Sequence, residues 1–209
     1  MIITKGRKQL SKSQDVRELF IETADRLFFE QGYDCVGVAD ICKAAGKAKG
    51  LFFYYFEKKE NMAKLLAERQ IKKLSEGLTY QLSQLDLSPA AQLNYVMNMM
   101  LSREGTGPRA LGYFSQSGIP EWFDFYTHEL KDRYIFPIIR NLALGIANEN
   151  EATRISDQAI EIIYLGISAF MHRNFTQMAD EHFYEKAISA IAVTLENALG
   201  LPHGSIVIK

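Results

Sequence analysis

Residues 47–55, KAKGLFFYY, place Lys47 and Lys49, a glycine at 50 and the large aromatics Phe53 and Tyr54 in one short stretch. The chemistry open to such a set is short-range attraction for phosphate oxygens. Gly50 removes a side chain where another surface can come close. Elsewhere the reactive residue types are scattered. The four histidines, His128, His172, His182 and His203, show no catalytic spacing. Cys35 and Cys42 stand seven apart with no histidine nearby, which is no metal-ligand spacing. Cys42 is expected to pack as a small apolar residue. No nucleophile–base pair, metal-ligand cluster or phosphate-cradling glycine loop stands out. The expectation is therefore a non-enzyme with no cofactor and no metal.

Two short helices would hold the basic stretch. Val38, Ile41, Cys42 and Ala45 recur at one-faced helical spacing, and Gly46 can end that helix in the left-handed conformation. A second helix is expected over about 48–55, with Phe52 and Phe56 four apart and facing the core together. Gly50 and Tyr54 then fall on the opposite side, flanked by Leu51 and Phe53. Two helices joined by a short Gly-containing turn, the second with a basic start, suit a DNA major groove. That groove, about 12 Å wide, admits one helix. An ordinary helical hairpin with solvated lysines fits the same residues.

Residues 32–62 resemble the DNA-binding region of the tetracycline-repressor (TetR) family of bacterial regulators. The shared pattern stands as Gly32-Tyr33, Asp40-Ile41-Cys42-Lys43-Ala44-Ala45-Gly46, and Gly50-Leu51-Phe52-Phe53-Tyr54-Tyr55-Phe56-Glu57-Lys58-Lys59-Glu60. The resemblance implies an all-α chain of about nine helices. Residues 1–57 would form a three-helix DNA-binding domain with a helix-turn-helix, and 58–209 a helical effector-binding and dimerisation domain. It also implies DNA contacts from Lys47, Ala48, Lys49, Gly50 and Leu51. Phe53 and Tyr55 would touch phosphates, with Tyr54 between them near the bases, and Lys59 would neutralise a phosphate. Four positions depart from the pattern. Gly37 stands where a Thr or Ser usually caps, Ala48 where Ser is common, Phe53 where a Tyr would donate to phosphate, and Lys58 where a polar cap is usual. Lys47 and Lys58 can restore phosphate attraction by charge.

The rest of the chain reads as further helices. The first spans about 13–31, with Val16, Leu19, Phe20, Thr23, Leu27 and Phe28 on its apolar stripe and Gly32 at its end. A fourth, about 58–85, is long enough to act as a lever between two sites. Ser88-Pro89 opens a fifth, to about 103. A sixth is expected over about 109–117, and Pro120 opens a seventh to about 147, kinked at Pro137. The last two span about 151–175 and 180–199.

Eight aromatics fall in the 24 residues from Tyr113 to Phe136. Ligand sites are concave and largely apolar with a few polar groups. A large aromatic core fits these residues; the family resemblance instead implies an effector pocket. Its expected lining is Met97, Met100, Tyr113, Phe114, Gln116, Trp122, Phe123, Tyr126, His128 and His172, and the unidentified small molecule is expected to be apolar or aromatic. In the family the last two helices pair with those of a second subunit. That places a homodimer interface at Ile155, Ala159, Ile162, Gly166, Ala169, Ala187, Ala190, Ile191 and Thr194. Packing inside one chain fits the same face. The apolar end, Ser205 to Ile208, finds no place from sequence.

Composition adds bounds. The 209 residues are 47% hydrophobic with a net charge of −1. Residues 1–60 carry 11 Lys/Arg against 9 Asp/Glu, a weak asymmetry in which local placement matters more than the total. Lys5, Arg7, Lys8 and Lys12 read as a basic arm along DNA. No run of about 18 apolar residues and no signal core are present, so no membrane association and a cytoplasmic location are expected. The leading reading is a homodimeric, ligand-responsive repressor that binds double-stranded DNA at a palindromic operator. The alternative is an all-α small-molecule sensor or carrier whose helix-turn-helix no longer reads specific DNA.

Overall fold

The computed structural model describes residues 12–102, 109–114, 120–149, 155–174 and 176–208. Lys5, Arg7 and Lys8 of the expected basic arm, and Gln116, lie outside the described residues. Every regular element described is helical: α1 (Lys12–Gln31), α2 (Val38–Ala45), α3 (Lys49–Phe56), α4 (Lys59–Gln84), α5 (Pro89–Leu101), α6 (Glu121–Tyr134), α7 (Phe136–Glu149), α8 (Asp157–Arg173) and α9 (Glu181–Leu199), with short 3-10 segments at Arg109–Phe114 and Gln177–Ala179. Chain contacts define two units, residues 1–70 with 108–127, and residues 71–107 with 128–209. The divisions fall within α4 and α6.

In the first unit, α1 buries Phe20, Ile21, Ala24 and Phe28. Phe20 meets Phe52 and Phe56 edge-on, at centroid distances of 5.7 and 6.1 Å. Such offset and T-shaped ring pairs add to the free energy of burial itself. Gly32, at φ 85°, ends α1. The next residue, Tyr33, donates its backbone N–H to the carbonyl of Tyr113 at 2.8 Å. The Arg109–Phe114 segment is thereby tied to the end of α1. Tyr113 and Phe114 are fully buried there, and the Tyr113 hydroxyl donates to the Asp25 carboxylate. Phe114 and Phe123 stand 4.4 Å apart, and Tyr33 packs on both Phe114 and Trp122.

Part of the aromatic run packs into the core of the first unit. Tyr113, Phe114, Trp122 and Phe123 pack with Phe28 and Tyr33 in the core of the first unit. Rings that bury large areas serve a core as well as a pocket, and their density in sequence does not distinguish the two.

In the second unit, Ser88 caps α5 by accepting from the Ala91 N–H, and Pro89 occupies the first helical position. α5 lies against α7, where a side chain at Gly145 would come within 3.2 Å of Pro89. Leu93, Val96, Ile139, Ala143, Ile188, Leu195 and Leu199 form the core. The single long helix expected across 120–147 is two helices, α6 and α7, meeting at Ile135. Pro137 lacks the N–H that would continue α6, so it sits instead in the first turn of α7, where that group has no intrahelical partner anyway. The expected sixth helix is a 3-10 segment, and α8 begins at Asp157, where the Ser156 hydroxyl accepts from Ala159.

The C-terminal tail closes this unit. Gly200, at φ 62°, ends α9. Ile206 is buried, and its N–H donates to the buried Glu196 carboxylate at 2.9 Å. Asn94 and Asn98 on α5 bond the backbone of Val207 at 2.9 and 2.6 Å. The Ile206 N–H, and then the His203 ring, hold Glu196 below the usual carboxylate range. The stability it contributes is present above the ordinary carboxylate pKa of about 4.3 and is lost as pH falls through the lowered value. Glu196→Gln is expected to lower the urea midpoint at pH 7 and to flatten its decline between about pH 5 and pH 3. Urea titrations across that range check both effects.

Candidate nucleic-acid interface

α2 begins without a capping hydroxyl, because Gly37 has no side chain. The Asp40 carboxylate compensates in part by accepting the Gly37 N–H at 2.9 Å. Ile41, Cys42 and Ala45 are buried, as their spacing requires. Burial pushes the Cys42 thiol up, so it stays protonated as an apolar filler. Gly46 turns the chain at φ 62°, and the Lys47 N–H bonds back to the Cys42 carbonyl at 3.0 Å.

α3 follows two residues later, with Phe52 and Phe56 fixing its inner side. Its other side faces out. Tyr54 is 78% exposed, Phe53 49% and Leu51 39%, and Ala48, Lys49 and Gly50 are exposed beside them. A Cβ at Gly50 would meet nothing within 4 Å, so packing within the chain does not require glycine there. Lys47 is half-buried at the turn, and Tyr55 is half-buried with its ring against Phe56. The result is a helix whose cationic start and flat aromatic side are presented together. The exposed N–H groups and positive dipole end of α3 add to the charge of Lys49.

Lys59 is placed differently from its expected role. Its ammonium donates to the carbonyls of Tyr33 and Val36 at 3.0 and 3.1 Å and lies 4.0 Å from the centre of the Tyr33 ring. Two of its three protons are thus used within the chain, joining the α1–α2 connection to the start of α4. Tyr33 is buried, and burial, then the charges of Glu60 and Asp34, push its phenol up to about 12. Lys58, by contrast, is exposed. Between α3 and α4 the chain reverses at Glu57, whose φ of 61° and ψ of −45° form a tight three-residue turn closed by the Lys58 N–H on the Phe56 carbonyl at 2.6 Å. Such turns are rare and strained for a residue with a side chain.

The family described as bacterial regulatory proteins, tetR family, matches residues 20–66, which span α1 to the first turns of α4. These residues carry a TetR-family DNA-binding head. Among relatives, the chain is 39% identical over 70 residues to YwcC of Bacillus subtilis (strain 168), an uncharacterised HTH-type transcriptional regulator; the match covers 33% of this chain and 31% of that one. It is 25% identical over 126 residues to the HTH-type transcriptional regulator EthR of Mycolicibacterium smegmatis, covering 59% of this chain and 58% of that one. The chain thus spans about a third to somewhat over half the length of these relatives. A crystal structure of RolR in complex with resorcinol is alike over 94% of this chain and 98% of its own, with a TM-score of 0.59 at 22% identity. That likeness shows a shared fold over nearly the whole described chain.

The remaining expected site residues fall into separate groups. Met97 is buried and Met100 half-buried on α5. Tyr126 is half-buried, with Lys64 5.3 Å from its ring centre. His128 and His172 meet, ring to ring, at 5.2 Å. This pairing of residues 44 apart gave no local signal. On α8 and α9, Ile162, Gly166, Ala169, Ala190 and Thr194 are exposed, while Ile155 and Ala159 are half-buried. Ala187 and Ile191, expected at the interface, are buried within the unit instead, because α9 turns that side toward α7. No described helix is long and apolar enough to cross a membrane.

Lys59→Ala leaves the Tyr33 and Val36 carbonyls without their charged partner. It is expected to destabilise the chain by about 2–3 kcal/mol, measured by chemical denaturation. Lys58→Ala, at an exposed position, is expected to change stability by less than about 0.5 kcal/mol.

Proposed function

We propose that this protein is a DNA-binding transcriptional repressor, acting as a homodimer on a palindromic operator and released by a small-molecule effector. The observation that carries this reading is the outward face of α3. Lys49, Gly50, Leu51, Phe53 and Tyr54 stand exposed together on a helix whose other face is locked by Phe52 and Phe56. Ordinary burial would not leave a Tyr at 78% exposure beside a Phe at 49% and an unneeded glycine. A major groove supplies apolar base edges for those rings and phosphates for Lys47, Lys49 and Lys58.

The dimer is supported by α8 and α9. Ile162 is 69% exposed, and Leu165, Phe170 and Val193 are also exposed on these helices. Gly166 has open space where its Cβ would be, which leaves room for a second helix to approach. A two-fold pair presents two heads to two half-sites. Effector release requires that the ligand bind one arrangement of the dimer more tightly than the other.

Lys49→Ala and Tyr54→Ala are each expected to weaken operator binding by roughly 1–3 kcal/mol, read by mobility shift on DNA from the gene's own upstream region across a salt series. Wild-type affinity in both variants would remove α3 as the reader. Absence of any specific shift with either upstream or selected random DNA would favour an all-α sensor whose head no longer reads sequence. Ile162→Glu is expected to convert a dimer to a monomer in light scattering. A wild-type protein that is monomeric at tens of micromolar, as roughly judged against the usual strength of obligate interfaces, would rule out the dimer.

A further inference from the structure

We infer that the seat between α5 and α9 is a recognition site for an extended peptide, a branched aliphatic residue followed by one held through its backbone alone, and that residues 203–208 fill it as a releasable internal ligand. α5 and α9 each pack on α7, and the segment that follows α9 bridges them. Its bonds to the two helices run to side chains. On α9, one oxygen of the Glu196 carboxylate accepts the Ile206 N–H at 2.9 Å, and the other meets the His203 ring at 3.0 Å. On α5, one turn apart, the Asn94 side chain accepts the Val207 N–H at 2.9 Å and the Asn98 side chain donates to the Val207 carbonyl at 2.6 Å. Asn98 also donates to the Asn94 carbonyl at 2.9 Å, which steadies the pair.

Val207 is thus held by its N–H and its carbonyl on one side, the way an added β-strand is held at one residue. That mode reads the main chain and leaves the side chain out, and Val207 is 48% exposed. Selectivity lies one residue earlier, where Ile206 is buried. Ile206 is the one buried residue from Pro202 to Ile208. A stretch with a single buried anchor and solvent-facing neighbours opens locally at far lower free energy than a helical core. Opening uncovers an apolar seat and leaves Glu196, only 3% exposed, without the N–H it accepts. A buried carboxylate stripped of its donor is costly, so the open seat favours any chain that brings an N–H beside a branched aliphatic side chain. The partner class is therefore a protein offering an extended aliphatic segment. The site is independent of whether α3 reads DNA.

The test uses the full chain and a fluorescein-labelled peptide of residues 201–209, LPHGSIVIK, followed by fluorescence anisotropy. In the wild type the attached segment competes at an effective concentration of the order of millimolar, so the peptide binds weakly. Ile206→Asp withdraws that competitor, because a second carboxylate does not take an apolar seat beside Glu196. Saturable one-to-one binding, at least tenfold tighter than in the wild type, is expected. Adding Asn94→Ala and Asn98→Ala to that variant should reverse the gain, and a peptide with the same Ile206→Asp change should not bind. Far-UV circular dichroism establishes that each variant is folded. Val207→Pro removes the N–H given to Asn94 at an exposed position, and it carries the same comparison if Ile206→Asp does not fold. No peptide binding by a folded variant would overturn the site. Equal binding by wild type and variant would place the peptide elsewhere and overturn it as well.

Discussion

The head of this protein depends on one ammonium group. Lys59 reaches from the first turn of α4 to the carbonyls of Tyr33 and Val36 and sits over the Tyr33 ring. Those carbonyls belong to the connection between α1 and α2, where the Tyr33 carbonyl also accepts the Val36 N–H at 3.4 Å. Hydrogen bonds from a charged donor are worth roughly twice neutral ones, and a partly desolvated cation over a ring adds to them. The same Tyr33 takes the Tyr113 carbonyl with its N–H and packs on Phe28, Phe114 and Trp122. One residue pair therefore fixes the entry of α2, the start of α4 and the returning segment at once. The attitude of α3 follows from that frame.

Local patterns in the sequence were legible because short-range rules set them. Gly32, Gly46 and Gly200 end helices in the left-handed region, and Ser88-Pro89 starts one. Phe52 and Phe56 face inward and Tyr54 outward as helical spacing demands. Ambiguity remains in the sequence where two physical outcomes share one pattern. A lysine at the start of α4 looks the same whether it meets phosphate or carbonyl oxygen; only the neighbouring backbone decides. Aromatic density from Tyr113 to Phe136 looks the same in a core and in a pocket; Tyr113, Phe114 and Phe123 are buried, whereas Phe125 is exposed. Ala187 and Ile191 lie on an apolar stripe that serves the chain itself, while Gly166 and Ala190 are exposed.

What stayed invisible is contact between distant positions. His128 and His172 are uninformative until α6 and α8 are brought side by side. Glu196 reads as an ordinary surface acid in a helix, yet it is buried and holds a tail that has no secondary structure to announce its place. Non-local pairings of this kind carry no periodicity, so no window of sequence can reveal them.

The exposed apolar side chains of α8 and α9 bear on how abundant the protein must be. A large aliphatic or aromatic side chain fully withdrawn from water contributes about 1.5–3 kcal/mol, and Ile162, Leu165, Phe170 and Val193 all start exposed. When a second chain covers them, part of each chain's folding free energy is supplied by association and obeys mass action. Dilution then thins the folded population itself, not merely the paired one. Proteolysis, which draws on unfolded chains, takes a larger share when copies are few. A chain paired in this way would be cleared faster as its level drops, so its presence in the cell would change more sharply than its rate of synthesis.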